Sequence, residues 1–305
     1  MPNLTDLSDV NELYITFLLS NQSWPNEEIK DIYERKCQSI GEVESLLQIE
    51  RARCMANVFV TWAETNGYSS PIISTWWTGR HGTLQTIIQK DIDCRKNPTD
   101  ILVKFSSGPS DGYLGMSAKS TRGKSDISFK NLGIGSVEED LNVDISSIVN
   151  RISDDAVREL CLPESMEERK LFIRSNPSVR DVTRRIGVQI LEKMRDILYD
   201  RLKEFDDTYL KHYILDTWLN ASADKYPPYV KVTGLGNKLG SICARVEHPL
   251  ENEKVLSLMS GQIYIEKYGF ASVGVSGSNK KVMKIRAKYS SEKLASSLKF
   301  MGDPW

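Results

Sequence analysis

The chain has 305 residues, 40% of them hydrophobic and 27% charged, with a formal net charge of −1. That length supports a large core in one or two domains, and the near-neutral charge excludes a general polycation, so any polyanion must be met by a local patch. Five widely spaced cysteines without a CxxC, and three scattered histidines, exclude a disulfide framework and a structural zinc site. The acidic N-terminal stretch lacks the basic start of a signal peptide. No segment has the length of a membrane helix, so the expected location is intracellular.

Residues 6–19 and 25–39 read as short helices. Residues 41–65 read as a longer one, opened by a Ser39/Glu42 capping box and stopped by Asn66-Gly67. SSPIISTWWTGRHGT follows as a strand or loop rich in aromatics. Asn97-Pro98 marks a turn, TDILVKF a buried strand, SSGPSDG a hairpin loop and YLGMSAKS the partner strand. Residues 121–135 form a basic, glycine-containing loop. The segment from Ser136 to Leu160 is helical, with acids in its first turn. Residues 164–175 and 178–206 are helical too, and in the second Ile186, Ile190, Met194, Ile197 and Leu198 make an apolar stripe suited to core packing or a dimer seam. After Tyr226-Pro227-Pro228 the texture turns to strands separated by glycine turns. The order predicts a mixed α/β (α+β) fold. The expected segments are N-terminal helices (1–40), a core (41–160), a helical segment (161–220) and a β-rich basic region (221–305).

The hairpin carries the chemistry. Leu114, Met116 and Ala118 alternate with Tyr113, Gly115, Ser117 and Lys119, so Ser117 and Lys119 share one face. Asp100 stands at the mouth of the preceding strand. A carboxylate and a lysine on adjacent strands suit metal-assisted phosphodiester hydrolysis. The carboxylate holds a hard divalent cation, and the lysine serves the attacking water or the phosphate charge. The alternative is a plain strand-end aspartate with a snorkelling lysine. Other signals fail. GKS at 123–125 lacks the glycine a phosphate loop needs, and GVSGS at 274–278 is one residue wrong for a nucleophile elbow. Glu50 falls within an apolar line of Val43, Leu47, Cys54 and Val58. A carboxylate there needs a metal or a partner such as Arg53; Glu64 is the reserve.

On Pro98-Thr99-Asp100-Ile-Leu-Val, Met116-Ser117-Ala118-Lys119 and the following Asn131-Leu132-Gly133-Ile134-Gly135, the chain resembles the PD-(D/E)xK nuclease superfamily, which includes many restriction endonucleases. The resemblance covers about residues 40–150. It departs at Thr99, which splits Pro from Asp, and at Ser117, which stands where the second acid usually sits. It implies a restriction-endonuclease-like sheet flanked by helices and a Mg2+-dependent endonuclease, with Mn2+ substituting. Asp100 would hold metal, Lys119 and Ser117 would lie at the reaction centre, and Glu50, Glu138 or Glu139 would supply the missing acid. Glu138 and Glu139 are otherwise ordinary first-turn acids of a helix.

Two regions suit nucleic acid. Lys119, Arg122, Lys124 and Lys130 face a single Asp126 in the loop, and KKVMKIRAKYSSEKLASSLK holds seven basic residues against one acid. In the latter, Lys284, Arg286 and Lys288 alternate on one face of a strand, whose plain explanation is a solvated edge strand. Arg80, beside the aromatic WW pair, is a further candidate. The implied partner is double-stranded DNA, cut by a homodimer in a restriction system. Repair or phage DNA processing by the same fold is the runner-up, and a non-catalytic DNA-binding protein is the reading from another class.

Overall fold

A computed structural model describes residues 4–79, 83–90, 97–121, 131–219, 221, 226–251, 253–278 and 280–305. The chain opens with helices α1 (Leu4–Leu19), α2 (Glu27–Ile40) and α3 (Glu42–Thr65), followed by β1 (Ser69–Trp77), α4 (Thr83–Ile88), β2 (Ile101–Ser107) and β3 (Tyr113–Thr121). The middle of the chain is a short strand, β4 (Asn131–Gly133), and five helices: α5 (Ile134–Leu141), α6 (Ser146–Glu159), α7 (Met166–Ser175), α8 (Pro177–Lys203) and α9 (Asp207–Tyr213). Strands β5 (Tyr229–Leu235) and β6 (Cys243–Glu247), helix α10 (Glu253–Ser260) and strands β7 (Ile263–Tyr268), β8 (Ser272–Gly277), β9 (Lys280–Tyr289) and β10 (Leu298–Pro304) complete it. The architecture is mixed α/β, with a five-stranded sheet of parallel and antiparallel pairs flanked by helices. Among the described residues, no helix is long and apolar enough to cross a membrane.

The chain divides into two units. One comprises Met1–Ile127 with Asn220–Asn252, the other Ser128–Leu219 with Glu253–Trp305. The border expected at 220 falls next to the one between Leu219 and Asn220, whereas those expected at 40 and 160 are not borders of these units. The N-terminal helices belong with the hairpin because α1 and α3 bury their apolar faces on its sheet. The C-terminal region is shared, β5 and β6 going to the first unit and β7 to β10 to the second.

In the first unit the sheet order is β1-β2-β3-β5-β6. β2 and β3 form the expected hairpin, with Ile101 opposite Met116, and β3 pairs with β5 in parallel. The alternation read from the sequence has a physical destination on each face. Ile101, Val103, Phe105, Leu114, Met116 and Ala118 pack into one cluster with Ile15 and Leu19 of α1 and Met55 and Phe59 of α3. Leu102 faces the other way, with Leu84, Ile88, Trp76 and Tyr113. Full burial of such side chains contributes about 1.5–3 kcal/mol each.

Helix α3 is positioned differently from the expected register. Its buried line is Ser45, Gln48, Ala52, Met55, Ala56, Phe59 and Ala63, while Val43 is 74% exposed. The capping box does not form either. Gly41 is the N-cap, at φ +83, and Ser39 Oγ instead donates to Asp6 and to the Lys36 carbonyl. Likewise the helix expected from 136 to 160 is two helices, broken at Asn142, which adopts a left-handed conformation at φ 52.

In the second unit the sheet is antiparallel throughout, in the order β4-β10-β9-β8-β7. Helix α8 packs on β7, β8 and β9. Ile190, Met194 and Leu198 of its stripe are buried within the unit, which removes that stripe as a dimer seam. Strand β9 is interior to the sheet, not an edge.

Candidate active site

Asp100 lies one residue before β2. Its backbone N–H donates to the Met116 carbonyl at 2.9 Å, which extends the hairpin register and sets Asp100 across from Ser117. Its side chain then reaches one residue further along β3. Oδ2 accepts from the Ala118 N–H at 2.8 Å and from Lys119 Nζ at 3.0 Å. The lysine on the open face of the strand therefore faces this carboxylate, and the pair is partly shielded from water, at 23% exposure for Asp100 and 38% for Lys119. Ser117 is buried at 2% exposure.

The turn that delivers Asp100 is held by a buried polar lock. Asn97 Oδ1 accepts from both the N–H of Thr99, at 3.1 Å, and its hydroxyl, at 2.6 Å. Asn97 Nδ2 donates to the Pro227 carbonyl at 3.2 Å, just before β5. Thr78 closes the other side, with its hydroxyl on the Thr99 carbonyl at 2.6 Å and its N–H on the Asp100 carbonyl at 3.0 Å. Thr99, the residue that interrupts the Pro-Asp pair, is thus part of the support. It also explains Gly115, where an added Cβ would lie 2.2 Å from Thr99 Oγ1.

A second acid reaches this place from α1. Glu12 is 9% exposed, and Trp77 Nε1 at the end of β1 donates to its Oε2 at 2.9 Å. Burial, first, and then the charge of Asp100 push its carboxyl up to about 8, and Lys119 pulls in the opposite direction. The opposing pulls identify Asp100, Lys119 and Glu12 as one electrostatic group. A carboxyl held up chiefly by its burial, and further by a neighbouring carboxylate, is a candidate functional group.

Glu12 had a signal in the sequence. It is the sole charged residue between Val10 and Leu19, in the middle of an apolar run.

The other expected acids go elsewhere. Glu50 lies on the flank of α3, off its buried line, and both of its carboxylate oxygens accept from the Gly240 N–H, at 2.8 and 3.1 Å. It fastens the β5–β6 turn. Glu138 belongs to the second unit, where its carboxylate caps α6. It takes the Ile145 N–H at 2.7 Å, the Ser146 N–H, and the Ser146 hydroxyl at 2.8 Å. Glu139 is exposed in the same unit. Glu64 accepts from Ser70 Oγ at 2.9 Å. Arg80, Arg122, Lys124 and Lys130 lie outside the described residues. Trp76 and Trp77 are half-buried, the first in the Leu102 cluster and the second on Glu12.

Among the described residues, no group of three acidic, histidine or cysteine side chains is placed to hold a metal ion. The site offers two carboxylates, Asp100 and Glu12, with Oδ1 of Asp100 outside the two hydrogen bonds taken by Oδ2. Oxygen donors of this kind suit a hard cation, and Mg2+ is commonly bound by one or two carboxylates with water and substrate phosphate as its remaining ligands. Carboxylate oxygens are donors that Mg2+ or Mn2+ accepts. No family model matches the chain, and no curated protein matches it.

Proposed function

We propose that the protein is a Mg2+-dependent endonuclease of the PD-(D/E)xK type that hydrolyses phosphodiester bonds of DNA. The observation that carries this reading is the Asp100–Lys119 contact across the β2–β3 hairpin, with the buried Glu12 carboxyl beside it. Asp100 and Glu12 would hold the cation. When bound, Mg2+ supplies positive charge to the phosphate and acidifies a coordinated water.

The residues of the chain divide the remaining work. Lys119, anchored by Asp100 Oδ2, presents its ammonium where a phosphate oxygen or an attacking water can take a hydrogen bond. With a cation held beside it, Glu12 would act as a carboxylate ligand, the added positive charge offsetting the desolvation that favours its neutral form. The Asn97–Thr99–Thr78 lock keeps Asp100 in register, so that positioning costs little at the moment of reaction. Ser117, opposite Asp100, adds a hydroxyl and no charge. Glu12 on α1 takes over the role of the missing acid.

Supercoiled plasmid incubated with the full chain and Mg2+ tests the reading, with EDTA as the control. Discrete fragments mean a sequence-specific enzyme of restriction type, and a smear means a nonspecific nuclease. Intact plasmid with a mobility shift means a non-catalytic DNA-binding protein, a second reading favoured by Ser117 and by a donor set of only two carboxylates. Cutting both strands at one site calls for two active centres, which a symmetric pair of chains supplies; light scattering with and without DNA tests that.

A further inference from the structure

We infer that the second unit carries a binding face for single-stranded nucleic acid, built on its antiparallel sheet and independent of metal and of the hairpin site. The register puts Lys284, Arg286 and Lys288 on one face of β9. A bulge adds Lys281 to them. Between Lys281 and Met283 strand β9 carries one residue more than β8, which reverses the alternation. Val282 and Met283 are both fully buried, and Lys281 lands on the lysine face. Directly across from Lys288 stands Lys299 of β10.

Ion pairing within the fold accounts for little of this row. Like charges directly opposite on paired strands are destabilising. Among the described residues, Arg286 has a carboxylate partner, Asp303 at 2.8 Å, whereas Lys281, Lys284, Lys288 and Lys299 have none within ion-pair distance. Two acids, Glu266 and Asp303, lie on the same face, so its balance is five positive charges to two negative. The complementary partner is a polyanion.

The aromatics on the same face decide which polyanion. Tyr264 and Tyr268 of β7 are 51% and 44% exposed. The Trp305 ring lies over Gly274 of β8 and meets Tyr268 edge-on at 5.2 Å. Lys281 sits 4.4 Å from the Trp305 ring centre and Lys284 5.3 Å from that of Tyr268, so cations and stacking surfaces alternate. Basic groups along a backbone track with aromatic platforms beside them are how proteins bind unpaired strands, whose bases stack on any flat ring. Alternate residues of β9 are about 6.8 Å apart, close to the separation of neighbouring phosphates in an extended strand. A duplex fits poorly. Five strands span roughly 19 Å, too wide for a major groove of about 12 Å, so the tyrosines cannot reach paired bases.

The test is fluorescence anisotropy in EDTA, with the full chain and a labelled oligothymidylate, against a duplex of equal length. The oligothymidylate should bind more tightly than the duplex. The combined change Lys284→Gln, Lys288→Gln and Lys299→Gln should weaken binding at least tenfold and lower the salt slope by about 2. Tyr264→Ala with Tyr268→Ala should weaken binding about tenfold with the salt slope unchanged. Circular dichroism confirms that both variants are folded. Equal or tighter duplex binding, or wild-type affinity in the tyrosine variant, overturns the inference. Because metal is absent, the outcome is separate from the nuclease reading: a chain that binds oligothymidylate yet leaves plasmid intact in Mg2+ retains this face and loses that activity.

Discussion

The hairpin mouth and the open face of the second sheet both gather charge, and they do so under opposite rules. At the mouth the Glu12 carboxyl is buried, Asp100 and Lys119 are partly shielded from water, and the two acids are fixed by Ala118 N–H, Lys119 Nζ and Trp77 Nε1. The Asp100–Lys119 attraction depends on that fixed geometry and is only partly screened by water. On the sheet face the cations are partly exposed and screened by salt, and their effect comes from number and spacing. The first arrangement suits a chemical step, the second suits holding a long anion. A change at the mouth should therefore act on turnover, and a change on the face should act on affinity.

The largest expected effect is at the mouth. Asp100→Ala and Lys119→Ala should each reduce plasmid cleavage by at least about 10³-fold, in line with the loss of a group acting only in the transition state, while oligonucleotide affinity in EDTA stays within about twofold. Comparable losses of affinity in these variants would erase the contrast between the two regions.

Glu12→Gln comes next. It should weaken Mn2+ binding, measured by calorimetry, on the order of 100-fold or more. Its pH signature is distinctive. The folded-state carboxyl titrates near 8 against about 4.5 when unfolded, so the folded protein binds the extra proton between those values. The stabilisation this gives is complete below the lower value and is lost as pH rises through about 8. Metal-free wild type should lose on the order of a few kcal/mol of this contribution between pH 5 and 8, and Glu12→Gln should flatten that part of the stability profile. An unchanged slope in thermal unfolding would remove Glu12 from the site.

Asn97→Ala should be smaller. It leaves the Thr99 N–H and hydroxyl without their buried acceptor, a cost of about 1–3 kcal/mol. By loosening Asp100 it should lower kcat more than it raises KM. A variant with reduced stability and wild-type kcat would make Asn97 purely structural. Smallest is Arg286→Gln alone. Its half-exposed pair with Asp303 contributes about 0–1 kcal/mol, so stability should hardly change, and the salt slope of DNA binding should fall by less than 1.

The hairpin was legible because two-residue alternation is local. Leu114, Met116 and Ala118 had to face one way, and the SSGPSDG loop had to return the chain. The partner of Lys119 was legible for the same reason, since hairpin register puts Asp100 within its reach. The acid from α1 was not. Nothing in the periodicity of Leu4–Leu19 tells which strand its Glu12 will approach, and the electrostatic coupling joins Glu12 to Asp100, 88 positions away in the sequence. On α3 the error was one of phase. Val43, Leu47 and Cys54 suggested a stripe, but Gln48 and Arg51 take buried places through their mutual 2.7 Å hydrogen bond and the Arg51 bond to the Gly236 carbonyl. Two polar residues that satisfy each other can occupy a helix face that hydropathy assigns to solvent.

The parallel pairing of β3 with β5 bears on how the chain is made. Gly115 finds its partner Tyr229 about 110 residues later, after the chain has supplied β4 and five helices of the other unit. At a synthesis rate of 5–20 residues per second the ribosome needs about 6–20 s to cover that gap. Throughout it, the strand bearing Ser117 and Lys119 is an apolar edge with unpaired backbone groups, open to pairing with another nascent chain. The unit that holds the hairpin begins first and is finished late, so its yield in a cell should depend on shielding Gly115–Thr121 until Tyr229–Leu235 arrives.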